Sequence, residues 1–436
     1  MSNRPLKSKV VVIGAGPMGL AAGYHAARAG HDVDILEAAD RPGGMAAHFD
    51  FGGLSLERFY HFVCKADKDT FDLMRDLGIS DKMRWRPTSM GYFMKGRVHA
   101  WGDPISLLRF PHLNLIEKLR YGAFAFLSTR RRDWSALDAI SSRSWIEAWC
   151  GRRVYDRMWR PLFELKFYEF ADRISAAWTW TRIKRVGTSR RSMFQEELGY
   201  IEGGSQTLVD ALSEAIERQG GRIRLRTTVS RILINGDSIR GVETPLGLLE
   251  ADAVICTVPT PFVPQIAPDL PLNVLAKFRS IDNVGVVCVV FKLKRSITRH
   301  FWLNISDPDI AIPGLVEFSN LRPTGDTIVY VPFYMPVTNV KFGRPDEAFV
   351  EESFGYLQHI NPALRREDIL ETHVGRLRHA QPVCPPRFGD RLPPVEIGIR
   401  GLQIADTCYY YPEDRGISES VRFGKIMANA IGARVT

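Results

Sequence analysis

Little in this sequence supports thiol or metal chemistry. Its six cysteines (Cys64, Cys150, Cys256, Cys288, Cys384 and Cys408) are scattered, the nearest two standing 24 positions apart. That spacing offers no CxxC redox pair and no zinc knuckle, and it suits a reducing cytosol. The ten histidines are also dispersed, with no HExxH motif, so no metal site is expected. Long apolar runs are missing too. The greasiest stretch, 105–127, is broken by Arg109, Glu117, Lys118 and Arg120, which excludes a bilayer span. The first apolar run, Val10 to Ile13, leads straight into glycines and reads as a strand, not as the core of a targeting segment. No internal repeat, low-complexity linker, helix-turn-helix, zinc-finger or RNA-binding signature is found, so nucleic acid is not an expected partner.

What is present has an ordinary globular balance. Over 436 residues, 45% are hydrophobic and 25% charged, which rules out disordered, collagenous and coiled-coil classes. That length predicts two domains, or one large and one lobed. The net charge of +9 is unevenly placed: 20 Lys/Arg face 9 Asp/Glu between Lys95 and Arg191. Seven of the nine tryptophans share that stretch: Trp101, Trp134, Trp145, Trp149, Trp159, Trp178 and Trp180. Arginine with tryptophan suits an anionic, partly apolar surface such as a lipid headgroup layer or a phosphorylated substrate. A solvated basic face over a Trp-rich core fits the same residues.

The opening carries the sharpest local pattern. Val10-Val11-Val12-Ile13 runs into Gly14-Ala15-Gly16-Pro17-Met18-Gly19, then a helical pattern to Gly30, then Val33-Asp34-Ile35-Leu36-Glu37. Strand, glycine turn, helix, strand is the dinucleotide-binding arrangement. Gly14 serves the turn, Gly16 lets the backbone approach a pyrophosphate, and Gly19 lets helix and strand pack closely. Free N–H groups at the helix start then favour the phosphates. Glu37, at the end of the second strand, is placed to accept from ribose hydroxyls and disfavours a 2′-phosphate.

Two later blocks look like the same domain returning. Gly203-Gly204-Ser205 leads into an amphipathic helix to Arg218, then strands at 222–225, 229–234 and 251–257. Near the end, 401–406 reads as a short strand closing on Asp406, and 417–431 as a helix. The expected fold class is α/β: a discontinuous Rossmann-like dinucleotide-binding domain with an interleaved α+β substrate domain. Its expected pieces are 1–90, 196–262 and 396–436 for the first, and a helical, basic, Trp-rich part at 91–195 with an antiparallel part at 263–395 for the second. Alternation near Val284 to Phe291 and Thr327 to Pro332 supports that antiparallel floor.

At Glu37-Ala38-Ala39-Asp40-Arg41-Pro42-Gly43-Gly44-Met45 the sequence resembles the FAD-binding fingerprint of a large flavoprotein superfamily. That superfamily includes protoporphyrinogen oxidases, phytoene desaturases, flavin amine oxidases and, more distantly, UDP-galactopyranose mutases. The stretch from Ala405-Asp406-Thr407 to Glu413-Asp414-Arg415-Gly416-Ile417 resembles its closing motif. The resemblance implies bound FAD. It places Gly43, Gly44 and Met45 beside the flavin, Val229 on the adenine through its backbone, and Asp406 near the pyrophosphate and ribityl chain. It also sets Gly416 and Ile417 at the pyrimidine side of the ring, where a helix start would stabilise negative charge on reduced flavin. One departure stands out: where relatives often carry a glycine-containing segment beside the flavin, this chain has Leu56-Glu57-Arg58-Phe59-Tyr60-His61.

Only one dinucleotide turn is found, so a separate nicotinamide domain is not expected. The simplest cycle passes a hydride from an organic substrate to flavin N5, with oxygen or a quinone as electron acceptor. Dehydrogenation of a lipophilic or isoprenoid-like molecule, or amine oxidation, is the expected activity. A non-redox mutase acting on a sugar nucleotide is the alternative, and a basic binding protein a third reading. His61 and Tyr60 are the candidate catalytic side chains, as proton acceptor and shape-setter, although a satisfied histidine and a packing aromatic would read the same way. Tyr409, Tyr410 and Tyr411 are candidates for an aromatic wall, and Cys408 does not match a flavin-linking cysteine. Asn114 and Glu117 predict a capped helix with an apolar surface (Leu115, Leu119, Phe124, Phe126, Leu127) ending in Arg130-Arg131-Arg132. It resembles the membrane-apposed part of these relatives, and a helix roofing the second lobe is the other reading. The expected location is cytoplasmic, or peripheral on the inner face of the membrane.

Overall fold

The computed structural model describes residues 7 to 432. Strand Lys9–Ile13 lies at the centre of a five-stranded parallel sheet, flanked by Asp32–Leu36 and then Arg222–Arg224 on one side, and by Ala253–Cys256 and then Leu402–Ile404 on the other. The chain thus supplies one sheet from three distant stretches. Because strand side chains alternate, Val10 and Val12 pack under the helices Pro17–Arg28, Ser205–Arg218 and Ile417–Gly432. Val11 and Ile13 point the other way, into a cluster with Ile232 and Val242 of the antiparallel sheet Arg231–Asn235, Ser238–Thr244, Gly247–Glu250. Burial on both faces is why Val10 to Ile13 reads as a continuous apolar run.

The second sheet has seven strands in the order Ile369–Pro382, Asn283–Leu293, Thr327–Met335, Gly314–Glu317, Trp302–Ile305, Met90–Met94, Arg97–Trp101. Val287, Val289 and Phe291 of its long strand face helix Asp346–Ile360 through Phe349, Phe354 and Leu357. Val286, Cys288 and Val290 face the opposite way, with Tyr330, Tyr334 and Leu56. Two of the strands, Met90–Met94 and Arg97–Trp101, lie at the start of the stretch read from sequence as helical. The turn joining them is Lys95-Gly96, with φ of 53° and 70°. Two successive positive φ values define a tight hairpin turn that usually announces itself with Asn or Asp, and Lys95 hides that signal.

The helical layer includes Leu115–Arg130, Ser142–Cys150, Arg160–Phe167 and Ala176–Thr188. The first begins as the sequence predicts: Asn114 Oδ1 accepts from the Glu117 N–H at 2.9 Å, and the Asn114 N–H donates to Glu117 Oε2 at 2.8 Å. Trp145, Trp178 and Trp180 are buried in this layer, and the Trp180 indole N–H donates to the Ser128 carbonyl at 2.8 Å. Among the described residues no helix is long and apolar enough to cross a membrane.

Candidate active site

A cavity of about 1750 Å³ runs from the carboxyl ends of the parallel strands to the inner face of the seven-stranded sheet. At its first end the Gly14 N–H donates to the Leu36 carbonyl at 2.8 Å, and Gly14 takes a φ of 99° that a side chain would strain. A Cβ on Gly19 would sit 1.9 Å from the Gly14 carbonyl oxygen, so only glycine permits this close crossing. Helix Pro17–Arg28 starts with no side-chain cap and no acidic residue in its first turn. Its free N–H groups therefore meet the cavity without a protein partner, as a phosphate site requires. Gly16 and Gly44 face each other there, and a Cβ on Gly44 would reach within 3.1 Å of Gly16 Cα.

Glu37 is held from both sides, Oε2 accepting from the Ala15 N–H at 2.8 Å and Oε1 from the Ala39 N–H at 2.9 Å. Each oxygen keeps lone pairs for a further donor. Pro17, Met18, Ala38, Met45 and Val229 line the same end. Ala15, Gly19, Arg41 and Gly43 stand behind the wall: the Gly43 N–H donates to the Ala15 carbonyl at 2.8 Å, and Arg41 Nη1 to the His48 carbonyl at 2.9 Å. These four shape the lining more than they form it.

From the C-terminal stretch, Asp406, Gly416 and Ile417 reach the wall. Asp406 is buried, with Oδ2 accepting from the Thr260 N–H at 2.7 Å and Oδ1 from the Cys408 N–H at 2.8 Å. Burial raises its pKa, and these donors oppose that. The carboxylate thus staples two loops at the sheet's end. Ile417 opens the last helix, and one turn in, Glu419 carries a buried Oε2 with no partner. Burial lifts its pKa to about 7, helped by Asp67 and opposed by Arg185. Of the three tyrosines only Tyr410 lines the cavity; the Tyr411 hydroxyl bonds Ser175 and Asp138 instead. Cys408 is buried with its sulfur 3.4 Å from Thr260 Oγ1.

Tyr60 and His61 line the middle of the cavity, against the seven-stranded sheet. Tyr60 sets its ring edge-on to Trp302 and Tyr330, at 5.6 and 5.7 Å. Burial raises its phenol well above the ordinary range. His61 Nδ1 is buried without a partner, and burial brings the ring's pKa down to about 4, so it is neutral at pH 7. Beneath them Glu57 accepts from the Ser205 N–H at 3.1 Å and from Arg322 Nη1 at 3.4 Å. That buried bridge ties the hairpin His48–Phe51, Leu54–Glu57 to the helix at Ser205 and to the connection between strands Gly314–Glu317 and Thr327–Met335.

Four charged residues with no individual role assigned from sequence also line the cavity: Lys166, Arg182, and Asp414 and Arg415 of the closing motif. Arg182 is ion-paired with Asp414, and Arg415 Nη2 donates to the Tyr334 hydroxyl at 3.0 Å. Burial pushes Asp414 up, but Arg182, Lys166 and Arg415 hold it below the usual carboxylate range. The basic run 95–191 contained two of these residues, yet a charge count does not separate buried from solvated cations. Away from the cavity, one oxygen or nitrogen from each of Asp307, Asp309 and His359 lies within 4.8 Å of the others. The sequence spacing conceals that grouping. Asp307 Oδ2 already accepts from the Gly96 N–H at 2.9 Å, a structural task at the hairpin.

A parallel sheet with one glycine turn, an acid after its second strand and a long cavity against a mixed sheet is the architecture of a dinucleotide-binding protein with a substrate lobe. The sequence profile of the flavin containing amine oxidoreductase family matches residues 19–387. The chain belongs to that family, and it is an FAD-dependent oxidoreductase. It is 24% identical over 331 residues to the 15-cis-phytoene desaturase of Synechococcus elongatus, covering 69% of this chain and 67% of that protein. The chain spans about half to two thirds of the length of the plant and cyanobacterial desaturases it matches. An Exiguobacterium sp. 255-15 protein provisionally called a protoporphyrinogen oxidase has the same fold, with a TM-score of 0.75, 20% identity and 99% of each chain covered. Reduced UDP-galactopyranose mutase superposes with a TM-score of 0.72 at 16% identity, covering 98% of this chain and 95% of that one. One fold thus serves both redox and mutase chemistry, and the substrate has to be argued from the cavity.

Proposed function

We propose that this chain dehydrogenates a lipophilic molecule drawn from a membrane surface. The observation that carries the reading is the cavity's rim. Leu108, Leu119, Phe126 and Met193 line the cavity and are also more than half exposed, as part of a surface that includes Leu115, Ile116 and Leu127. Exposed apolar side chains on this scale, ending in Arg130-Arg131-Arg132, fit an interface with anionic lipid. Each large aliphatic or aromatic residue taken out of water there contributes roughly 1.5–3 kcal/mol.

The residues at the first end fit FAD. Gly14, Gly16 and the uncapped helix start would receive the pyrophosphate, Glu37 the ribose, and Val229 the adenine. Gly44, Met45, Asp406, Gly416 and Ile417 would flank the ribityl chain and ring. Bound FAD supplies a two-electron acceptor at N5, regenerated by oxygen or a quinone. The chain's own part is to orient the substrate, exclude water and take up a proton. Tyr60 narrows the chamber, and neutral His61 offers Nδ1 as the proton acceptor.

The test is an anaerobic screen of the purified protein against membrane lipid extracts, amines and sugar nucleotides, read as loss of flavin absorbance. Bleaching by a lipid fraction is expected. Turnover of a sugar nucleotide with no net electron consumption would overturn the reading in favour of a mutase.

A further inference from the structure

The inner end of the cavity holds more positive charge than the chain itself neutralises. Lys166 Nζ lies 5.0 Å from the ring centre of Trp178 and 5.0 Å from that of Tyr334. The Arg182 guanidinium is 4.8 Å from Trp178, and that of Arg415 is 5.7 Å from Tyr334. Two rings therefore gather three cations, delivered by helix Arg160–Phe167, helix Ala176–Thr188 and the loop before the last helix. One carboxylate, Asp414, stands among them: it is ion-paired with Arg182, and its Oδ1 is buried without a hydrogen-bond partner. The described residues give Lys166 these cation–π contacts and the charge of Asp414, which it shares with Arg182 and Arg415. Buried cations in excess of their anions are costly unless a ligand supplies the missing charge.

We propose that Lys166, Arg182 and Arg415 form a subsite for an oxyanion of the substrate, a carboxylate or phosphate ester, so that the substrate is an anionic amphiphile. The proposal rests on the reading of the cavity as a chamber for a lipophilic substrate. It assigns the apolar body to the channel beneath Leu119 and Phe126 and the anionic end to the cationic trio. Position separates this charge from the phosphate cradle. Tyr334, which the trio surrounds, belongs to strand Thr327–Met335 of the seven-stranded sheet, whereas the phosphate cradle sits at the ends of the parallel strands. Guanidinium pairs match the planar or tetrahedral oxygens of such a group, and the aromatic walls exclude the water that would otherwise screen it.

A consequence concerns protons. Burial lowers the pKa of Lys166 well below its ordinary value, and Arg182 and Arg415 act the same way against Asp414, with Cys384 also opposing. An arriving anion reverses that balance, so binding is accompanied by proton uptake and weakens as pH rises.

The experiment is calorimetric titration of the FAD-loaded protein with dodecyl phosphate, dodecanol and butyl phosphate. It is done on wild type, Lys166→Met and Lys166→Arg. Dodecyl phosphate is expected to bind at least tenfold more tightly than dodecanol. Lys166→Met, which removes a buried charge and threatens folding little, is expected to erase that preference. Lys166→Arg is expected to keep most of it. FAD content and flavin reduction potential should not move in either variant. Equal binding of dodecanol and dodecyl phosphate in wild type would overturn the subsite and leave the lipophilic reading standing. A change in FAD content or potential in Lys166→Met with the preference intact would overturn it too, reassigning the trio to the cofactor. Butyl phosphate binding as well as dodecyl phosphate, with both lost in Lys166→Met, would support the subsite while removing the lipophilic reading.

Discussion

At the scale of single residues, a glycine in the cavity wall and a buried acid outside it have separate consequences. Gly16 has ordinary backbone angles and nothing closer than 4.0 Å to an added Cβ, so the fold tolerates a side chain there. The same side chain would fill the space a pyrophosphate needs. Gly16→Val is therefore expected to match wild type in far-UV circular dichroism and cofactor-free thermal stability while retaining under a tenth of the FAD. Equal FAD content would show that the phosphates lie elsewhere. Glu419 makes a different statement. Its folded pKa of about 7 stands above the unfolded value near 4.5. Below pH 4.5 both states are protonated. Between there and pH 7 the unfolded chain ionises while the folded one keeps its proton, so stability falls as pH rises and the penalty is complete above 7. Glu419→Gln lacks that penalty. It should stabilise the FAD-free protein by about 1–3 kcal/mol more at pH 8 than at pH 4.5, measured by urea unfolding.

Among the elements, helix Leu115–Arg130 is the one whose start was legible and whose outward face was not. Its capping box depends on residues three positions apart, and the structure has both hydrogen bonds. Only Glu117, Phe124 and Ser128 are fully buried along it, while Leu115, Ile116, Leu119, Phe126 and Leu127 stay exposed. An apolar residue reads the same in sequence whether it meets a core or a lipid layer, so two readings of this helix remained open at that level. A double change, Leu119→Glu with Phe126→Glu, separates them now. Losing two buried apolar contacts of roughly 1.5–3 kcal/mol each should cut cosedimentation with anionic phospholipid vesicles by more than tenfold without lowering thermal stability. Unchanged vesicle binding would remove the membrane surface from the proposed function. The hairpin at Lys95-Gly96 shows the complementary limit: its geometry is ordinary, but its turn residue is not the one that sequence rules recognise.

Over the whole molecule, the parallel sheet was readable from sequence because three of its five strands are followed by a local signature: glycines after Lys9–Ile13, Glu37 after Asp32–Leu36, Asp406 after Leu402–Ile404. The cationic trio was not, since Lys166, Arg182 and Arg415 come from segments that meet only in the folded state, and composition records their charge but not their burial. The same non-local assembly has a thermodynamic consequence. The residues proposed to hold FAD fall at 14–45, at Val229 and at 406–417, in loops beyond the strand ends and at helix starts that unfolding would disperse. A ligand that binds only the assembled state stabilises it by RT ln(1 + [L]/Kd), about 2.7 kcal/mol at a hundred times Kd. Adding FAD to cofactor-free protein should therefore raise the midpoint of thermal unfolding progressively with concentration, and the two sheets should melt together with it. Gly16→Val should show the same starting midpoint and no rise. A midpoint that ignores FAD in wild type, or rises equally in the variant, would mean that the cofactor does not bridge the three stretches.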